Sequence, residues 1–240
     1  TDIPQYGIRP NYNINKFNFQ KTRNILQQIK VDSNILNVFE LIGIPNKSIV
    51  LKLDNFQINS KKDFFFEYTF IKNKFILLLY TDTSGLILYY SITSRIYELN
   101  PELPVDIHMT GHNNTLLNDF KFSVFGDKLL SDVFFNGSSK FEEYAEHESF
   151  RNPGNFYTYH FGINPLGYIN SEYMHLMHSF VFNFDEKDEK FLNESLALFR
   201  QKARPNSFGV LNSKAPESLE DYTVKRAIGP DYMDTRALLW

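Results

Sequence analysis

Six histidines and two runs of acidic residues are the side chains of this chain best suited to chemistry. His108 and His112 flank Met109-Thr110-Gly111, and His175 and His178 flank Leu176-Met177. A histidine pair one helical turn apart can give a metal two ligands, but zinc needs three or four, and no third ligand stands at a matching interval. Packed or exposed imidazoles are the expectation, with no metal and no cofactor. Glu142, Glu143, Glu146 and Glu148 read as the solvated face of a short helix capped at Ser139, with Glu142 as its capping-box partner. Asp185, Glu186, Asp188 and Glu189 have a calcium-loop composition without the turn glycine or the closing glutamate. They read instead as negative charge gathered at a helix N-terminus.

Nucleophile and phosphate motifs are absent: there is no Gly-x-Ser-x-Gly, no P-loop and no Gly-x-Gly-x-x-Gly. The chain has no cysteine, which removes disulfides, thiolate zinc sites, iron–sulfur clusters and thiol nucleophiles together. The remaining signal is aromatic. Tyr157, Tyr159, His160 and Tyr168 gather on one stretch, and Trp240, the only tryptophan, ends the chain. Exposed tyrosines with a histidine suit a surface that binds a protein or peptide partner. The competing use of the same rings is to fill space between a sheet and its helices.

The 240 residues are 42% hydrophobic, enough for a real core, and the formal charge of -3 offers no basic field for nucleic acid. The longest apolar run, residues 75–80, is far short of the roughly 20 residues that span a bilayer. Membrane attachment is therefore expected only through a segment upstream of Thr1, since the chain opens on threonine rather than methionine.

Residues 1–15 carry Pro4, Gly7 and Pro10 and read as a linker. Residues 16–98 read as a helix–helix–meander module. Its first helix starts at Phe17, and its second, with Asp32 or Ser33 as N-cap, is stopped by Gly43 and Pro45. An edge strand over 49–53 precedes three strands within 62–94, separated by residues 71–74 and by Asp82-Thr83-Ser84-Gly85, a turn with glycine in the left-handed region. Phe64, Phe66, Tyr68 and Phe70 share one face of the first of these strands, and Phe65, Glu67, Thr69 and Ile71 the other. Burial of one sheet face requires the two helices as its cover.

The helix ending in Leu41-Ile42-Gly43-Ile44-Pro45, followed by an aromatic strand, an apolar strand, a short Asp-to-Gly turn and a third strand, resembles the α-α-β modules of two families. These are the SmpA/BamE-like outer-membrane assembly lipoproteins and the β-lactamase-inhibitor proteins. The resemblance covers residues 17–93 and implies a non-catalytic, extracytoplasmic protein-binding module.

A loop over 95–114, rich in proline, glycine and asparagine, separates this module from a second one over 115–240. That module is expected to hold a short strand or helix fragment at 116–124, a short strand at 128–135, the glutamate helix at 139–146, a hairpin over 156–169 and a strand over 175–184. An amphipathic helix over 186–201, with Phe191, Leu192, Leu196 and Phe199 on its apolar face, follows. After Pro205 the chain reads as irregular up to a short helix at 218–228. An ordered tail closes it, with Arg226, Asp231 and Arg236 as ion-pair formers. The fold expected is α+β, antiparallel sheets with helices on one face in two loosely similar halves. The function expected is a binding or sensing domain of a membrane-attached or exported bacterial protein. A hydrolase using His108, His112, His160 and the acids of the second half is the alternative.

Overall fold

A computed structural model describes residues 17–54, 62–103, 116–137, 142–152, 155–169, 176–177 and 188–239. The linker at 1–15, His108, His112, His175, His178 and Trp240 lie outside the described residues. Eight antiparallel strands form one sheet: β1 (Lys47–Asp54), β2 (Lys62–Ile71), β3 (Phe75–Thr81), β4 (Ile87–Ser94), β5 (Val133–Gly137), β6 (Glu142–Asn152), β7 (Asn155–Ile163) and β8 (Ser207–Asn212). The order across the sheet is β1-β2-β3-β4-β8-β7-β6-β5. The helices are α1 (Phe17–Leu26), α2 (Ile35–Ile42), α3 (Glu189–Lys202), α4 (Glu217–Val224) and the single turn α5 (Tyr232–Thr235). The class is α+β with antiparallel pairing throughout.

The meander forms as its punctuation requires. Gly85 closes the β3–β4 turn at φ +84, and Asp82 Oδ1 accepts from the Ser84 and Leu86 amides to hold the turn shut. The loop before α2 bonds back to this turn, Ile35 N–H to Gly85 C=O at 2.9 Å, so α2 is fixed to the hairpin it covers. Its N-cap is Asn34, whose side chain accepts from the Leu36 amide, rather than Asp32 or Ser33. Gly43, at φ +87, ends the helix as expected.

Alternation sorts the sheet into two faces. On the first, Phe70, Leu77, Leu79, Tyr90, Phe161, Phe208 and Val210 pack with α1, α2 and α3 through Phe19, Ile35, Val38, Leu192, Leu196 and Phe199. On the second, Phe65, Leu78, Tyr80, Tyr89 and Leu211 pack with Leu219 of α4. A bulge lets Leu88 and Tyr89 share that second face: Tyr80 opposes Tyr89 while Thr81 opposes Ile87.

Several segments depart from the sequence reading. The hairpin expected over 156–169 is only its first strand: β7 pairs with β6 and β8, and the turn at 164–167 leads into no second strand among the described residues. Residues 142–146 are the start of strand β6, not a helix; Tyr144 and Ala145 are buried, and pairing with β5 and β7 overrides the helix propensity of Glu and Ala. Of the two readings of residues 116–124, strand or helix fragment, the structure has the helical one, as short 3-10 turns at Leu117–Asp119 and Phe122–Phe125. Residues 207–212, read as irregular, are β8, buried at every position and bonded to β4 on one edge and β7 on the other. β8 draws the strands of both halves into one sheet.

Gly209 in β8 has a packing reason: a Cβ there would lie 2.6 Å from the Tyr89 hydroxyl. Gly209→Val should therefore cost about 1–3 kcal/mol through overpacking, read as a lowered urea midpoint at unchanged slope. An unchanged midpoint would contradict this contact.

Candidate functional site

The second face of the sheet is where polar chemistry collects. β2 and β6 stand five strand spacings apart in the sheet order. Flat, that is about 24 Å at about 4.8 Å per spacing. Yet Glu67 of β2 and Glu143 of β6 line one cavity of about 280 Å³. The sheet must therefore coil strongly about this face, bringing its two ends toward each other.

The chain after β8 runs through the hollow and roofs it. Ser218 Oγ donates to Asp63 Oδ2 at 2.6 Å beside β2, and Tyr222 packs edge-on to Tyr80 with ring centroids 5.9 Å apart. Ile228 then passes over Gly162 of β7, where a Cβ would meet it at 3.0 Å. Asn164 clamps the far end: its side-chain amide donates to the carbonyls of Ile228 at 2.7 Å and Pro230 at 3.2 Å. Asn206, at the mouth of β8, accepts from the Asn164 amide and donates to the Asn164 carbonyl. Gly229 sits against this clamp at φ +90, and a Cβ would lie 2.6 Å from Thr93 Oγ1. Only glycine satisfies both conditions.

Glu67, Glu143, Tyr80, Tyr89 and Asn136 line the sheet side of the cavity, and Tyr222, Arg226, Asp231 and Asp234 line the roof. Tyr80 and Tyr89 stack with centroids 5.5 Å apart. The cations at the rim already have partners: Lys47 with Asp234 at 3.4 Å, Arg226 with Asp231 at 3.8 Å, and Lys225 with Asp221 at 2.9 Å. The Arg226–Asp231 pair realises part of the expected tail network. Glu67 and Glu143 have no cation within 4.0 Å among the described residues, and Glu143, 5% exposed, accepts only from Asn136 Nδ2 at 3.1 Å. Burial pushes the Glu67 carboxyl above its ordinary value, against the pull of Lys47, the Tyr80 hydroxyl and Arg226. Burial does the same to Glu143, with Asp231 adding to it and Asn136 and Arg226 opposing. Burial also raises Tyr80 well above the ordinary tyrosine value, with Glu67 adding to the rise.

The other face holds the contrasting case. Glu146 is buried, and Arg200 of α3 meets it with two bonds, Nε to Oε1 at 2.6 Å and Nη2 to Oε2 at 2.9 Å. Tyr144 Oη donates to the same carboxylate, and the Phe122 and Gly126 carbonyls take the remaining guanidinium donors. Burial pulls the Arg200 pKa down, but the Glu146 hydrogen bond and charge outweigh it and leave it raised. Every group there is satisfied, as an internal ion pair requires. The expectation that these glutamates form a solvated face is thus corrected: Glu142, Glu143 and Glu146 are all buried.

Of the tyrosines singled out from sequence, Tyr157 and Tyr159 meet edge-on with centroids 6.3 Å apart, and Tyr168 lies elsewhere. Tyr157 and Tyr159 of β7 turn to the first face and pack in its core. His160 turns to the second, 2% exposed, edge-on to Tyr89 at 5.5 Å and opposite His147 in the register. Burial, helped by the His147 charge, holds its imidazole down to about 3, so it is neutral, and its Nε2 has no partner among the described residues. Tyr168 is exposed and pairs with Tyr97, centroids 5.3 Å apart, in a separate cleft with Asn118 and Arg204. Among the described residues no group of three or more His, Asp or Glu side chains is placed to hold a metal. None of their helices is long and apolar enough to cross a membrane. No family model, no curated protein and no solved structure matches the chain.

A carboxyl whose pKa is higher in the folded than the unfolded chain favours folding while protonated, and that contribution is lost as pH rises through the folded value. Glu67→Gln should therefore raise the melting temperature at about pH 7, and the gain should vanish below the unfolded glutamate value of about 4.3. A destabilised variant at neutral pH would mean that Lys47 compensates Glu67 in full.

Proposed function

We propose that this protein is a non-catalytic binding domain whose ligand enters the cavity between the coiled sheet and the segment 213–235. The observation that carries this reading is the enclosure of four acidic and three basic side chains with three tyrosine rings around one space of about 280 Å³. A concave site with converging polar groups and aromatic walls is the general form of a small-ligand pocket. Its size suits a compact ligand or a single side chain of a peptide partner. What supports binding over hydrolysis is the state of the histidine that packs on the cavity's Tyr89. His160 is sealed behind Tyr89 and neutral, and a base must reach the proton it takes. The roof is tied down at both ends, by Ser218 to Asp63 and by Asn164 to Ile228 and Pro230, so the walls are preformed.

Filling the space tests the reading. Ala227 lines the cavity, and Ala227→Phe places a ring where a ligand would sit. Saturation-transfer NMR against a panel of small polar amines, acids, alcohols and amides should give hits with the native chain that disappear in the filled variant, while its melting temperature stays within a few degrees. Hits that persist unchanged after filling, or a panel with no hit, would count against a ligand in this cavity.

A further inference from the structure

The charge balance of this cavity names the ligand's chemistry, an inference that rests on the binding reading above. The three cations on the lining are each matched to an aspartate: Lys47 to Asp234, Arg226 to Asp231, and Lys225 to Asp221. These pairs sit at the rim, where Lys47 and Asp234 are 25% and 65% exposed and Arg226 and Asp231 are 42% and 43% exposed. The floor differs. Glu67 and Glu143 come from opposite ends of the sheet, point to one space, and have no cation of their own. A buried carboxylate is kept by a protein when something meets its charge, and the first face shows the chain doing so with Arg200 on Glu146. On the second face no described cation comes within 4.0 Å of Glu67 or Glu143; Lys47 and Arg226 act on them only from farther off, each paired to an aspartate.

The walls between the two carboxylates are aromatic. Arg226 already occupies the Tyr222 ring, its guanidinium carbon 4.6 Å from the centroid. The Tyr80 and Tyr89 rings, stacked on each other, complete the lining between β2 and the roof. Carboxylates with aromatic walls are the surroundings in which an ammonium group is best held, through charge-assisted hydrogen bonds and the ring quadrupole together. An anionic ligand would have to break a rim ion pair to find a cation. A metal ion would find two carboxylates, and among the described residues no third ligating side chain joins them.

We infer that the cavity binds an alkylammonium group, held between Glu67 and Glu143 against Tyr80 and Tyr89. The group can belong to a free amine or to the lysine side chain of a peptide partner; the chemistry is the same.

The test is isothermal titration calorimetry of the full chain at low ionic strength. The probes are 1,5-diaminopentane, n-butylammonium, 1-pentanol, pentanoate and the capped tripeptide acetyl-Gly-Lys-Gly-amide. The expected result is saturable binding of the ammonium probes and none of pentanol or pentanoate. Glu143→Gln and Glu67→Gln should each weaken ammonium binding by at least about tenfold, the range expected for losing a charge-assisted bond. Tighter binding of the tripeptide than of n-butylammonium assigns the group to a peptide, and the reverse order assigns it to a free amine. If pentanol or pentanoate binds instead and Ala227→Phe abolishes it, the ammonium inference falls and the binding reading stands. Ammonium binding that survives both glutamine variants also overturns the inference. If no probe binds, both fall.

Discussion

Strand β8 is hydrogen-bonded on both edges, to β4 and to β7, and the rest of the molecule depends on that double pairing. An antiparallel ladder fixes register to the residue, because a one-residue slip would exchange the faces. With β8 in register, Phe208 and Val210 meet the first core and Leu211 the second. Gly209 then leaves room for Tyr89, and Asn206 lies where it can bond Asn164. Asn164 in turn holds Ile228 and Pro230, and so the roof of the cavity. The coil of the sheet and the placement of its cover are thus two results of one pairing.

The two faces treat buried acids in opposite ways. On the first, Glu146 is met by a bidentate guanidinium and a tyrosine hydroxyl, and the cluster ties α3 to β6. Nothing is left over for a ligand. On the second, Glu67 and Glu143 are held above the usual carboxylate range because burial outweighs the help their neighbours give. Such groups work against folding at neutral pH. The neutral His160, whose Nε2 has no partner among the described residues, belongs to the packing behind Tyr89.

Much of the first half could be read from its residues. The alternation in residues 62–94, the Asp82-to-Gly85 turn and the stop at Gly43 are local signals, and the structure follows them. Glu67 is legible as the one acid that shares a strand face with Phe65, Thr69 and Ile71. Glu143 was hidden for a different reason: residues 142–148 favour a helix by composition, and only pairing with β5 and β7 makes them a strand. β8 was hidden because six residues with a central glycine after Asn206 resemble a loop, and the reason for that glycine, the Tyr89 ring, is distant in sequence. The cavity needs all three. Its residues come from β1 to β6 and from the tail, and no local pattern links them.

Binding of an ammonium group requires that the Glu143 carboxyl be buried and without a cation of its own in the free protein. Carbon-13 NMR of the glutamate side-chain carboxyl, followed through a pH titration, reads this directly. The account predicts that the Glu143 signal titrates above the unfolded value of about 4.3 in the free protein and moves downward when n-butylammonium is present in excess. A Glu143 carboxyl that titrates at the ordinary value and is indifferent to the ammonium ion would contradict it.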